Sequence, residues 1–490
     1  MIFSSPAFVF LFLPIAVVVY FALTRRRWTI LARLWLAAAS LAFYAVWRVD
    51  HLPLLLASIA FNFWAGTRLS RAEVAGTSRG RWLLGGAITL NVLVLGYFKY
   101  AAFGVQILDG LTGADFSVGE IALPLGISFF TFTQIAFLVD CYRGRVKEAD
   151  PLNYTLFVTF FPHLIAGPIL HHSEMMPQFA SRWTMRPRYR NILFGLCLFG
   201  LGLFKKVIIA DTFAIWATYG FDGSHALDFF SAWGTALSYT FQIYFDFSGY
   251  SDMALGAAML FNIRLPINFN SPYKALDIQD FWRRWHMTLS RYLRDYLYIP
   301  LGGNRAGEGR MYVNLFVTFA LGGLWHGASW MFVIWGVLHG SAMVVHRLWQ
   351  KLNRPLPAPL AWTLTFVFVV ITWVFFRAKD WGSARRVLSG MVNFQSIAVL
   401  PIADIPTAQL AWGGWLMDRL VVTLPPGLAV NLPVYLAMVA AFVIISRPNS
   451  MEIATAAVTR RRPWLVAVLF AIALIAISTT SSTVFLYFNF

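Results

Sequence analysis

Two histidines stand in surroundings where an imidazole can do chemistry. His326 lies in LGGLWHGASW, between two strongly apolar stretches, and His286 lies in DIQDFWRRWHMTLSRYLRDYLY, residues 277–298. Counting about 1.5 Å per residue from Met311 puts His326 roughly 20 to 25 Å along a helix, deep in an apolar span. An ionisable group at such depth faces a protein cavity or a water path and is a functional candidate by default; a hydrogen-bonded packing histidine is the alternative. Gly322, Gly323 and Gly327 beside it lack a Cβ and admit another backbone or a substrate. His286 sits at the margin of the apolar arc of its helix, where the ring either turns inward or stays wet. A neutral imidazole near pH 7 takes a proton from a hydroxyl and returns it to a leaving group, which is the chemistry of acyl transfer. The chain has no H-E-x-x-H pair and no Walker loop, and its one G-x-S-x-G match, GTSRG at residues 76–80, lies in an arginine-rich loop between apolar spans rather than at a strand-to-helix elbow. Serine hydrolase, zinc protease and ATPase readings therefore lack their defining parts. Direct attack of an acceptor hydroxyl on an activated acyl group, assisted by His326, is the economical enzymatic reading.

Other polar groups are weaker candidates. His171 and His172 adjoin a broken apolar stretch, His163 lies inside it, and His339 and His346 follow His326 on the next helix; each reads first as structural. Asp246 and Asp252, within QIYFDFSGYSD, either line a polar passage or accompany helix capping around Ser248 and Gly249. Cys141 and Cys197 have neither metal nor redox spacing, and no metal site is expected.

The elements that must hold these residues belong in lipid. Of 490 residues 59% are apolar and 12% charged, with a mean hydropathy of +0.64, which predicts an all-α polytopic membrane protein. Lys and Arg outnumber Asp and Glu by 39 to 22; basic cytoplasmic loops explain that excess without a nucleic-acid partner. Spans are expected at Ala7 to Leu23, Ile30 to Trp47, Leu54 to Gly66, Trp82 to Phe103, and before Arg143. Further helices are expected at Ile192 to Phe204, Val207 to Tyr219, Phe230 to Phe247, Tyr250 to Asn262, Met311 to Trp325, Trp330 to Val345, Pro359 to Phe376, Leu432 to Ile445 and Trp464 to Ser478. Arg25 to Arg27, Arg68 to Arg81, and Arg143 to Lys147 alternate with less basic loops, which places the amino terminus outside the cytoplasm. Tyr154 to Leu170 is basic on both flanks and contains Pro162, Gly167 and Pro168, the pattern of a re-entrant broken helix. Within one domain, residues 1–490, two regions stand apart. Residues 264–310 hold an amphipathic helix expected in the cytoplasmic interface, with Asp277 as N-cap and Asp280 in the first turn; residues 377–431 show no clean span.

Several of these segments together resemble one family. WRRWHMTLSRYLRDYLYIPLGGNR followed by LGGLWHGASWMFVIWGVLHG, with MIFSSPAFVFLFLP, LPLGISFFTFTQIAFLVDCYRG, FFPHLIAGPI, FQIYFDFSGYSDMALG, NFNSPY and FLYFNF, is similar to the membrane-bound O-acyltransferases, in the bacterial branch that serves alginate O-acetylation and teichoic acid D-alanylation. The resemblance implies roughly eleven transmembrane helices, with re-entrant and interfacial helices, ringed around a central tunnel. It matches His326 to the family's deep catalytic histidine and His286 to its second characteristic histidine. It also implies acetyl-CoA as donor substrate with no permanently bound cofactor, an exported polysaccharide as acceptor, secreted or periplasmic acetyltransferase partners, and the bacterial inner membrane with a periplasmic amino terminus. In that setting Arg283, Arg284 and Trp285 are placed to receive the phosphates and adenine of CoA, while lipid headgroups are the other partners such arginines take. His171, His172 and Ser173 depart from the family pattern, which carries arginine there. Alginate is the first expected acceptor, with cellulose, peptidoglycan or a carrier protein as alternatives. A channel or flippase with His326, Asp246 and Lys99 as pore groups, and a scaffold for a polysaccharide synthase, are the rival classes.

Overall fold

The structure, a computed structural model, describes residues 2–398, 426–460, 463–479 and 486, apart from positions 72, 117, 118, 120, 147–149, 166 and 306. Glu120, Lys147 and, within 377–431, residues 399–425 therefore lie outside the described residues. Those described are mostly helical, with no strand among them. Six of the described helices are long and apolar enough to cross a membrane, or up to seven if the bent pair Val434–Ser446 and Ser450–Thr459 counts as one span. The chain is a multi-pass membrane protein. It forms two compact units, one of residues 1–199, 251–267 and 487–490 and the other of residues 200–250 and 268–486.

In the first unit, Ile127–Tyr142 packs against both Leu52–Leu69 and Ser78–Thr112, and Pro151–Thr159 packs on Thr29–Ala45. Buried amides hold these apolar helices in register. Asn62 and Asn91 donate to each other at 3.1 and 2.8 Å, and Gln134 donates to Ser58 while accepting from Tyr154. The expected break within Tyr154 to Leu170 is present: the helix ends at Thr159, and a short turn follows at Phe161–Leu164. The backbone N–H of Phe161 is met by Ser40 Oγ at 3.1 Å, the kind of internal partner that broken helices require in lipid.

Two expected pairs of helices are each one continuous element. Ile192 to Phe204 and Val207 to Tyr219 merge into Tyr189–Asp222 through a widened π turn at Lys205–Ala210. Lys205 and Lys206 read as a loop in sequence. Lys206 is instead buried, with its ammonium 2.6 Å from Asp211 and 2.8 Å from Asp246. Likewise Phe230 to Phe247 and Tyr250 to Asn262 fall within Phe229–Leu260. Ser248 and Gly249 cap nothing there: Ser248 donates to Tyr244 O within the helix, and Gly249 lies against the backbone of Gly202. From the expected irregular region, residues Trp381–Met391 form an amphipathic helix capped by Asp380, whose carboxylate accepts from Ser383 N.

In the second unit, Glu308–His326 and Trp330–Lys351 form a closely packed antiparallel pair. A Cβ at Gly323 would come within 2.3 Å of Phe332 O, and one at Gly336 within 2.5 Å of Phe319 O. The two backbones touch because neither residue has a side chain. Helix Glu308–His326 is not among the six apolar spans, since Glu308, Arg310, Asn314 and His326 lower its mean hydropathy. Trp330–Lys351 packs in turn on Ala358–Arg377 and on Ile278–Arg284.

Candidate functional site

The expected single helix over 277–298 is broken at its centre. Asp277 caps the first half as expected, its carboxylate accepting from Asp280 N at 2.7 Å. That half ends at Arg284, and a second begins at Met287. Between them Trp285 is extended and His286 adopts φ +43°, a left-handed conformation that a non-glycine residue holds only when its surroundings enforce it. The NFNSPY segment, residues 268–273, supplies that enforcement. Asn270 N donates to Arg284 O at 3.0 Å and Met287 N donates to Asn268 O at 3.0 Å, so the segment bridges the break. Asn268 Oδ1 accepts from Thr288 N at 3.3 Å and from Thr288 Oγ1 at 2.7 Å, capping the second half from outside its own sequence.

The same oxygen fixes the tautomer of His286. Asn268 Oδ1 lies 3.2 Å from His286 Nδ1. Because this oxygen already accepts the Thr288 N–H, it is the carbonyl end of the amide and Nδ1 must donate to it. In the neutral ring Nε2 is then left as a proton acceptor. His286 is fully buried, and burial pushes its pKa down to about 3, so the imidazole is neutral. Phe247 meets its ring edge-on at 4.8 Å. The ring therefore lies inside the protein rather than at the margin of a surface helix.

His326 is the last residue of its 19-residue helix, about 27 Å from the start at 1.5 Å per residue. It is 3% exposed. Trp325, Trp335 and Phe376 surround its ring at centroid distances of 5.0, 5.1 and 5.1 Å, and the ring of His286 lies 6.4 Å away. The structure thus brings together two imidazoles that are 40 residues apart in sequence. A Cβ at Gly327 would meet the ring of Phe332 at 2.1 Å, so an aromatic ring occupies the space that this glycine opens.

His339 has a structural task. Trp282 Nε1 donates to its Nδ1 at 3.2 Å, and its Nε2 lies 3.1 Å from Thr372 Oγ1, whose own proton goes to Val369 O. Both ring nitrogens are used, with the proton on Nε2. Trp335 fills the space between it and His326, at 4.7 Å from one ring and 5.1 Å from the other. His172 meets Phe137 edge-on and lies 3.3 Å from Asp140. His163 is buried, His171 half-buried, and His346 stands near the surface beside Asp277 and Gln350.

The three residues matched to a CoA donor part company. Arg283 is exposed, whereas Arg284 is half-buried and bound through Nε to both oxygens of Asp280 at 2.9 Å. Trp285 is 1% exposed, stacked on Phe281 at 5.7 Å and covered by Trp373 at 4.9 Å. Its ring offers no open face to an adenine and instead packs among Phe269, Phe281 and Trp373. Asp246, a pore group in the rival reading, is paired with Lys206 and accepts from Leu486 N at 3.0 Å. Lys99 donates to Ser128 at 3.3 Å, and Asp252 is buried. Sequence reasoning singles out NFNSPY but not Asn268 within it; an asparagine in a Pro-containing loop gives no sign that it reaches a histidine 18 positions on.

The sequence model of the membrane-bound O-acyltransferase family matches residues 83–379, a stretch that includes both histidines. The chain belongs to the membrane-bound O-acyltransferase family. It is 49% identical over 429 residues to the peptidoglycan O-acetyltransferase of Helicobacter pylori, covering 81% of each chain. It is 44% identical over 400 residues to the "probable alginate O-acetylase" of Pseudomonas aeruginosa, covering 80% of this chain and 75% of the other. Against the teichoic acid D-alanyltransferase of Bacillus subtilis it is 32% identical over 275 residues, 52% of this chain and 69% of the other. The buried histidine pair thus belongs to an acyltransferase, a class that requires a hydroxyl to be deprotonated as it attacks an acyl carbon.

Proposed function

We propose that this acyltransferase moves an acetyl group from cytoplasmic acetyl-CoA, across the bacterial inner membrane, to an exported polysaccharide. The juxtaposition of His326 with a neutral His286 in an aromatic enclosure carries the reading. In this reaction the acceptor oxygen forms a bond to the acetyl carbon and the carbon–sulfur bond of the thioester breaks. The hydroxyl proton passes to the imidazole of His326 and then to the departing thiolate, so the ring ends as it began. His286, with Nδ1–H held by Asn268, turns an acceptor nitrogen toward a donor or acceptor group and positions it. The surrounding Trp and Phe rings exclude the bulk water that would hydrolyse the thioester. Arg283 and Arg284 would meet the phosphates of CoA on the cytoplasmic side, Arg284 by exchanging Asp280 for phosphate. The amino terminus is periplasmic in this orientation, and secreted or periplasmic acetyltransferases receive or share the acetyl group.

Two acceptors have support. Alginate is favoured by the motifs and by the alginate-related relatives, and peptidoglycan by the 49% identity to a peptidoglycan O-acetyltransferase. Both offer sugar hydroxyls. Deleting the gene and measuring the mass of each glycan decides between them: the true acceptor loses its base-labile acetyl esters and keeps its chain. Loss of the chain itself would point to a scaffold, and unchanged esters on every glycan would refute the proposal.

A further inference from the structure

The second unit contains a crevice that the acyl-transfer reading does not use. It has a volume of about 320 Å³ and lies where the chain breaks between Val434–Ser446 and Ser450–Thr459, which bend by 64°. This volume falls within the range of small-ligand sites. One part of its wall is aliphatic and aromatic, formed by Leu201, Phe204, Ile209, Ile445, Ile453 and Leu469. The other part is cationic. Lys205 reaches Ser450 Oγ at 3.1 Å, at the first turn of the ten-residue helix Ser450–Thr459, and Arg447 lines the same space. A helix amino terminus adds partial positive charge to these two cations. The nearby carboxylate, Glu452, is turned back to accept the backbone N–H of Asn449 in a capping box. No carboxylate among the described residues lies within 4 Å of the Arg447 guanidinium. Exposed Arg447 and Ile444, the latter 41% exposed, mark the open edge.

We propose that this crevice holds an anionic phospholipid of the bilayer, with its phosphate between Lys205 and Arg447 and the start of one acyl chain along Leu201, Phe204 and Ile453. Apolar walls beside two cations complement a ligand that joins a hydrocarbon chain to a phosphate, and a lipid reaches the crevice from its open edge without leaving the membrane. The break is also fastened to the loop that holds His286. Lys274 donates to Arg447 O at 2.8 Å, and Asn449 Nδ2 donates to Asn270 Oδ1 at 3.1 Å, two residues from Asn268. A bound lipid therefore steadies the segment on which the tautomer of His286 depends.

Native mass spectrometry of the purified full-length protein in detergent tests the proposal without reference to acetyl transfer. Phosphatidylglycerol or phosphatidylethanolamine is added at equal concentration. The wild type should retain one phosphatidylglycerol with roughly tenfold preference. Arg447→Gln should lose most of that preference, on the order of fivefold at one charge, and Ile453→Trp should fill the crevice and reduce retention of both lipids. Thermal unfolding of each variant confirms that it is folded, and Arg447→Gln keeps the test open where the bulkier Ile453→Trp fails to fold. Equal retention of the two lipids by the wild type, or undiminished preference in Arg447→Gln, overturns the proposal. So does complete displacement of lipid by an equal concentration of soluble glycerol phosphate, since a phosphate site alone has no use for the apolar wall.

Discussion

Asn268 sets the state of His286 through one amide oxygen that takes three donors. Asn268→Ala removes the partner of Nδ1–H and the cap of Thr288 together. The expected result is a loss of acetyl transfer of about 10- to 100-fold, as for other groups that orient a reactive histidine, with about 1 kcal/mol of stability lost with the cap. Asn268→Asp keeps an acceptor oxygen but adds a charge that favours protonated His286, and should lose less of the rate than Asn268→Ala, read by transfer of labelled acetyl in membrane vesicles; equal losses in both variants would leave only a structural role. Lys206 makes a different prediction. Lys206→Met takes the ammonium away from buried Asp246 and half-buried Asp211 and should destabilise the fold by roughly 3–5 kcal/mol, visible as a lower unfolding temperature or loss of protein from the membrane. A retained melting temperature would contradict that account of the charge cluster. The burial of His326 could be read from sequence, because an ionisable group between apolar stretches is placed deep by its position, whereas the periodicity of residues 277–298 leaves His286 at the margin of its helix. The distant partners could not, since Asn268 reaches His286 18 positions away and Lys206 reaches Asp246 40 positions away.

At the scale of elements, the site depends on two devices: a broken helix that turns His286 inward and a glycine contact that brings His326 toward it. The amphipathic period of residues 277–298 runs without Gly or Pro through Trp285 and His286, so the sequence reads as one helix. The break forms because NFNSPY returns to satisfy the backbone that it frees. In contrast, the cap at Asp277 and the break after Thr159 were legible, since each follows from local residue chemistry. Gly336→Val should force the backbones of Glu308–His326 and Trp330–Lys351 apart, costing about 1–3 kcal/mol and moving His326 relative to His286. A substitution to Val at Gly309, which has open space around it, should be nearly silent. Comparing the two by thermal unfolding and acetyl transfer checks the contact; equal effects would show that close approach is not what Gly336 provides.

For the whole molecule, lipid-facing composition gave the all-helical, multi-pass class, and periodicity gave most helix positions. It split two long helices in half, because their internal Lys pair and Ser-Gly pair look like turns when the neighbouring helix is not in view. In the proposed orientation the donor is met from the cytoplasm and the acceptor from outside. A reporter active only in the periplasm should therefore be active when fused at the amino terminus and inactive when fused after Arg71. The opposite pattern would reverse the direction of transfer.

The central claim is tested most directly by His326→Ala. The variant should reach the membrane at wild-type level, with acetyl transfer to glycan lower by at least 10²-fold, the scale of a lost general base. Transfer at the wild-type rate from an equal amount of membrane-inserted variant would contradict the account.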